Sequence, residues 1–218
     1  VLALLGFGGA AGTFVGIAIE DSVSKGFTIH GTSGALVEMA TMFNHRGANI
    51  YLENGAEYGN ILRANAFTCE KMSGAAGRCS MQNSIAAQTE ADSGDQSGIY
   101  TSSFTGAHLI GNRISMVDNA FFVKQHQAWG QDIARKKVAP TVSPLATFVN
   151  NVFHNCHGFG WYVNIQAPLD VPIDSEGYVT DWTRACPWNF VTGENHAKPG
   201  EVLNHVEYNN DFSWGSYE

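Results

Sequence analysis

The sequence predicts an all-β fold, a right-handed parallel β-helix built from short strands with loop excursions. Three observations carry this expectation. An apolar position, a polar corner and a pair of alternating apolar residues recur at offsets of seven and nine: Val152 with Phe159 and Trp161, Ile114 with Phe121 and Val123, Phe43 with Ile50 and Leu52. Glycine fills 24 of 218 positions and charged residues only 15%, a composition rich in turns and poor in the residues that build amphipathic helices. The corners carry Asn, Gly and His, and Asn tolerates left-handed backbone and stacks its amide on a neighbour. One coil of a β-helix cannot bury its apolar face alone, so repetition of this kind is what the fold requires. A β-sandwich is the competing architecture, but only Asn54-Gly55 reads as a hairpin turn.

Taken in order, FVGIAI and GFTIHG flank a corner at Glu20 to Ser22 and give a first coil. LVEMATMF and ANIYLENG give a second, and Asn60 to Cys69 a third. An insert rich in Gly, Ala, Ser and Gln then runs to Gly98, after which Gly98 to Phe104 and Ala107 to Val123 resume the pattern. Gln125 to Pro144 breaks it and suggests a short helix packed outside. The stretch Thr147 to Val163 is the clearest coil, and Ile19 to Ile29 and Val206 to Trp214 are degenerate copies. The expected organisation is one β-helix segment over 1–218, with excursions at about 70–98, 125–146 and 166–200. Val1 to Phe14 has no Met and no charge, and its apolar run is too short to span a bilayer, so the chain reads as part of a longer one with an uncapped end. An uncapped rod is also a template for assembly into a filament.

The net charge of −8 argues against a nucleic-acid or anionic-membrane partner, since both need a concentrated basic surface. Other extracellular chains, copies of this chain and polysaccharides remain as partners, with membrane contact only through parts of a parent chain. Cys69 and Cys79 enclose a Gly-rich insert that a disulfide would tie down, and Cys156 and Cys186 are placed to pair across coils. The alternative is four reduced, buried thiols. Disulfides would imply an oxidising, extracellular or cell-surface location. No Asn-x-Ser/Thr sequon adds to that.

Candidate chemistry is sparse. Glu53 and Glu57 flank Asn54-Gly55 in the densest acidic site, and two carboxylates beside an amide are suited to calcium or to an acid/base pair. Solvated turn carboxylates are the plainer reading. Asp95, Asp118, His108 and His154 could join them only by stacking of coils. Trp129, Trp182 and Trp188 lie on the excursions, where aromatic rings bind saccharides or pin loops to a solenoid's flank. No Gly-x-Ser-x-Gly elbow supports a serine nucleophile.

Three stretches, Tyr51 to Glu57 (YLENGAE), Asp95 to Asn112 (DQSGIYTSSFTGAHLIGN) and Asn150 to Tyr162 (NNVFHNCHGFGWY), resemble, in order and spacing, the parallel β-helix region of the fibrocystin, fibrocystin-like and cell-surface hyaluronidase family. Leu52 to Glu57 is similar to the family's Leu-Glu-Asp-Gly-x-Glu, and Gly158 to Tyr162 is similar to its Gly-Phe-Trp-Tyr with one Gly inserted. The sequence departs at Ala48, where the family has His, and at Ser103 to Thr105, where an Asn-Pro-Asn-Asn turn would fall. The resemblance implies a segment of a large extracellular or cell-surface protein, with hyaluronan breakdown in part of the family. Two functions follow as expectations: a non-enzymatic structural or adhesive rod presenting loops to glycans or neighbouring chains, and a polysaccharide-cleaving enzyme working through acids on the wall.

Overall fold

The computed structural model describes residues 2–5, 11–52, 57–70, 97–101, 106–124, 146–164, 188–189, 194–195 and 202–216. They form a parallel β-helix. The first turn is β1 (Leu2–Leu5), β2 (Thr13–Val15) and β3 (Ala18–Glu20); the next two are β4 (Phe27–His30), β5 (Leu36–Glu38), β6 (Thr41–Phe43) and β7 (Ile50–Leu52), β8 (Ile61–Arg63), β9 (Ala66–Thr68). Then come β10 (Ser97–Thr101), β11 (His108–Ile110), β12 (Arg113–Ser115) and β13 (Asn119–Lys124), β14 (Thr147–Val149), β15 (Val152–His154). The last turn begins with β16 (Phe159–Asn164), passes a separate pair β17 (Trp188–Asn189) and β18 (Glu194–Asn195), and returns as β19 (Val202–Leu203), β20 (Val206–Tyr208) and β21 (Phe212–Ser216).

Strands in the same position of successive coils pair in parallel. The first sheet runs β1-β4-β7-β10-β13-β16-β21, the second β2-β5-β8-β11-β14-β19, the third β3-β6-β9-β12-β15-β20. The expected stack of Ile50, Phe121 and Phe159 is therefore present in one sheet. Among the described residues, only β17 and β18 pair antiparallel.

Each coil has three strands, one more than the sequence pattern suggests. LVEMATMF is not one strand but two, β5 and β6, bent at Met39-Ala40; FVGIAI divides likewise at Gly16-Ile17. The bend is a two-residue turn whose first member is left-handed in every coil: Gly16, Met39, Ala64, Gly111, Asn150 and Asn204 have φ between 50° and 67°. A positive φ turns the chain within one residue, so no polar loop marks the corner in the sequence.

The third strand also corrects the register. Met42, Phe67, Ile114 and Phe153 stack in the interior and are at most 1% exposed. Phe43 and Val152, which the recurrence places inside, lie on the outer row one residue away. In the last coil the interior position falls to Glu207 rather than Val206, because Glu207 pairs with Phe153. Alternation within the first sheet is as expected: Phe121 and Val123 belong to the main core and Phe122 to a separate outer cluster. Ser97 and Gly98, assigned by the sequence to the first excursion, are already strand β10. There is no room for a side chain at Gly98, where a Cβ would lie 2.7 Å from the Ala120 carbonyl oxygen and closer still to Ile114.

The second residue of the bend carries the polar framework. Asn65, Asn112 and Asn151 occupy it in successive coils and are at most 1% exposed. The Asn112 Oδ1 accepts from the backbone N–H and side-chain amide of Asn65 (3.2 and 2.9 Å), and the Asn151 Oδ1 does the same for Asn112 (2.9 and 3.0 Å). Each amide also donates to a carbonyl of the preceding coil, at Val37, Leu62 and Leu109. His205 ends the row, with Nδ1 3.0 Å from the Asn151 carbonyl oxygen. A buried backbone group left unpaired costs about 1–3 kcal/mol, so the ladder sets the spacing of the corner. Asn112→Ala strips partners from Asn65, Asn151 and the Leu62 carbonyl at once, and an equilibrium urea titration should show a loss of about 2–4 kcal/mol.

A second buried polar group sits at the corner between the third and first sheets. His45 is fully buried, accepts from the Ser22 N–H at 3.3 Å through Nδ1, and is pushed down to about 4 by loss of solvation. The unfolded chain then binds a proton that the folded chain refuses between pH 6.5 and about 4, so stability should fall as pH is lowered through that window. Urea midpoints at pH 7.5 and pH 5 should differ, and His45→Gln should reduce the difference.

Candidate functional site

The outer face of the first sheet is built from aromatic rings stacked coil on coil. Tyr51, Tyr100, Phe122 and Tyr162 occupy one register position in β7, β10, β13 and β16. Tyr51 and Tyr100 stack at 4.7 Å between ring centres, and Phe122 and Tyr162 at 4.8 Å with planes 9° apart. The Lys25 ammonium lies 3.6 Å from the Tyr51 ring centre. A parallel ladder spaces its strands by about 4.8 Å, which is also a good ring-stacking distance, so identical positions in successive coils bring rings face to face. Tyr51, Tyr100 and Phe122 are nearly buried although they face away from the core, whereas Tyr162 is half-exposed.

At the Tyr162 end the wall opens into a recess of about 380 Å³, lined by Asp118, Asn119, Phe122, His157, Phe159 and Tyr162. Two consecutive corners supply its polar rim. The Gly158 N–H donates to the Asp118 carbonyl oxygen at 2.8 Å, and the Phe159 N–H to the Asn119 Oδ1 at 3.0 Å. These bonds set the Asp118 carboxylate 3.8 Å from the exposed His157 imidazole. Gly158 is needed there, since a Cβ would lie 2.9 Å from the Asn119 Oδ1.

Three other acids among the described residues have structural partners. Glu57 is fully buried and its carboxylate accepts from the Gly31 N–H at 2.9 Å, capping a left-handed corner one coil below. Glu38 pairs with Arg63 at 2.7 Å on the outer face of the second sheet, which holds its carboxyl below the usual range. Glu207 lies 2.8 Å from the His205 ring. Glu53 and Asn54 lie outside the described residues, as do Asp95, Trp129, Trp182 and the Gln125 to Pro144 segment, so Glu53 and Glu57 are not seen together. His108 bonds to Thr147 (3.0 Å) on the second sheet and His154 stacks on Tyr208 (4.6 Å) on the third, on other faces from the recess. Trp188 belongs to the β17–β18 pair, opposite Asn195. Among the described residues no group of three or more His, Cys, Asp or Glu is arranged to hold a metal ion.

A family model described as CEMIP beta-helix matches residues 9–161. The chain belongs to this family. The match spans the coils from β2 into β16, and so takes in the ladder of Asn65, Asn112 and Asn151 and most of the recess. No match was found among curated proteins. The CEMIP β-helix assignment agrees with the resemblance carried by Tyr51 to Glu57 and Asn150 to Tyr162. The structure also accounts for the Gly inserted in the last of these: a Cβ at Gly160 would run into the Glu207 carboxylate and the Asn210 amide of the next coil.

The cysteines divide. Cys69, buried at the end of β9, is disulfide-bonded. Cys79 and Cys186 lie outside the described residues. Cys156 is a free thiol, which corrects its expected pairing with Cys186: it points into the apolar core and is 0% exposed. Burial pushes the Cys156 thiol up to about 12, far from the thiolate that reacts. Cys156 should therefore remain unmodified by a thiol reagent at pH 8 in the native protein and react once urea unfolds it under non-reducing conditions, as peptide mapping of the labelled protein would show.

Sequence reasoning passed over Tyr100, Phe122 and His157 as site residues. For Tyr100 and Phe122 the signal was present as aromatic residues at the outward position of four consecutive first-sheet strands, β7, β10, β13 and β16, while His157 lies in the corner before β16; both become a site only when the register is known.

Proposed function

We propose that the chain is a non-enzymatic structural or adhesive module of a large extracellular or cell-surface protein, a rigid CEMIP-family β-helix that presents its wall and excursions to glycans or neighbouring chains. The observation that carries this reading is the fate of Glu57. The acid that the sequence marks as a candidate catalyst is buried and holds the Gly31 backbone, a position from which it can neither reach a glycosidic oxygen nor bind a solvated cation. The disulfide state of Cys69 supports an oxidising compartment. Polymeric partners fit a surface made of repeated rows, where each coil offers the next unit the same chemistry.

Polysaccharide cleavage is the second reading, favoured by one feature: Asp118 and His157 share an open recess with aromatic walls. That geometry supplies one carboxylate, whereas most glycoside hydrolases use two about 5–10 Å apart. Glu53 would have to supply the other, alone or with calcium.

The deciding experiment measures depolymerisation of hyaluronan and a panel of other glycans by the full-length protein, with and without calcium, beside Glu53→Gln and Glu57→Gln variants. The expected outcome is no chain shortening by any of them, with retained binding to at least one glycan or extracellular partner. Cleavage lost in Glu53→Gln would replace the module reading by the enzymatic one.

A further inference from the structure

We propose that the outer face of the second sheet is the contact surface between two antiparallel copies of this chain; this rests on the module reading above and makes one of its neighbouring chains a copy of itself. The middle residues of the second-sheet strands, Val37, Leu62 and Leu109, lie in the core. The residues on either side of them therefore point outward, in two rows that run up the coils.

The order of residues in the two rows is self-complementary. One row carries Thr13, Leu36, Ile61 and His108 on β2, β5, β8 and β11; the other carries Val15, Glu38, Arg63 and Ile110. A two-fold axis laid along the strand direction between β5 and β8 exchanges coils without exchanging rows. Leu36 then lies opposite Ile61 of the second copy, Glu38 opposite Arg63, Val15 opposite Ile110 and Thr13 opposite His108. Each apolar residue meets an apolar one, the acid meets the base, and the symmetry repeats every contact in reverse, as an isologous interface requires. An axis two coils higher in its pairing, between β8 and β11, would instead set Ile61 on His108 and Arg63 on Ile110, so the pattern selects the first register.

The polar groups of this face already have partners on it. Arg63 donates to both oxygens of the Glu38 carboxylate, at 2.7 and 3.0 Å, and His108 bonds Thr147 at 3.0 Å. Covering the face therefore leaves these side chains paired. Across the axis two Glu38–Arg63 pairs meet with their signs alternating, which turns two exposed pairs into a ring of four charges, and networks contribute more than isolated surface pairs. The apolar members are open to contact: Leu36, Ile61 and Ile110 are partly exposed and Val15 is 48% exposed. The wall of the first sheet differs, since Tyr51, Tyr100 and Phe122 are nearly buried there.

Charge and pitch both fit a second copy. The chain carries −8, yet the outward positions of the second-sheet strands hold one acid, Glu38, and one base, Arg63. Two copies meeting there bring no excess of like charge to the contact. Coils spaced by about 4.8 Å give the face a ridge spacing that a second copy shares, and two such sheets pack aligned at about 10 Å. Four strands on each side make a contact smaller than the roughly 1,200 Å² at which standard interfaces begin. The pair is therefore a weak one, strengthened where parent chains are held side by side.

Sedimentation velocity and small-angle scattering of the full 218-residue chain test this, over a concentration series up to about 1 mM, where weak contacts associate. The wild type should form a dimer whose fraction rises with concentration. Glu38→Arg alone and Arg63→Glu alone, each shown to be folded by its urea midpoint, should remain monomeric over the same range, because like charges then meet across the axis. An equimolar mixture of these two variants should associate again, since the substitutions complement one another. Ile61→Lys should weaken association at least tenfold. A dimer that both charge variants leave intact, or a mixture that stays monomeric, overturns this face as the contact. A wild type that is monomeric throughout also overturns the proposal, but leaves the module reading in place, since that reading is judged by the glycan depolymerisation and binding experiment above.

Discussion

The buried amide ladder is the constraint on which the rest of this β-helix depends. A three-strand coil turns between its second and third strands through a corner of only two residues, and there the N–H of the second corner residue has no strand carbonyl as partner. Asn is the residue whose side chain both donates and accepts within reach of its own corner, so Asn65, Asn112 and Asn151 satisfy the coil below and the coil above at once. At Ala40 and Ile17 the row has no side-chain amide of its own: the Ala40 N–H donates to the Asn65 Oδ1 and its carbonyl accepts from the Ala66 N–H, and the Ile17 carbonyl accepts from the Thr41 N–H. Its upper end at His205 and Glu207 replaces apolar interior with a polar pair, which gives the last coil a different character from those beneath.

Once the corners are fixed, the spacing of the coils becomes the spacing of everything on the wall. The same ladder that places Phe121 over Ile99 inside places Phe122 over Tyr100 outside. A residue type repeated at one position is thereby converted into a continuous surface, such as the aromatic row that ends at Tyr162. Long excursions enter between strands without disturbing this, since parallel pairing involves the coil above and below and is indifferent to the length of chain that connects them. Function in such a fold is written on rows and corners. The recess arises because two successive corners, Asp118-Asn119 and His157-Gly158, meet the end of that row.

The acids illustrate how little a residue's chemistry says about its role without its neighbours. Glu57 and Asp118 are each one carboxylate beside a turn in the sequence. The fold buries the first against a backbone N–H and leaves the second on an open recess beside an imidazole and two rings. Cys69 and Cys156 divide in the same way, one bonded and one sealed in the core as a thiol.

By itself the sequence determined that the chain is a parallel β-helix, because a solenoid repeats its interior and the repetition survives as alternating apolar pairs at Ile50, Phe121 and Trp161. The alternation also fixed that Phe121, Val123 and Trp161 face in and Phe122 and Tyr162 out, since the strand period is two; Phe159, at the start of β16, departs from it and lines the recess. The tertiary structure alone decided the third strand and its register. The corner at Met39-Ala40 is made by one left-handed residue instead of a polar loop, so LVEMATMF reads as a single run, and a shift of one residue moves Phe43 outside and Met42 inside. It alone decided the site as well: Asp118 and His157 are separated by an insertion in sequence, and only coil-on-coil pairing, a contact between distant residues, brings them to 3.8 Å.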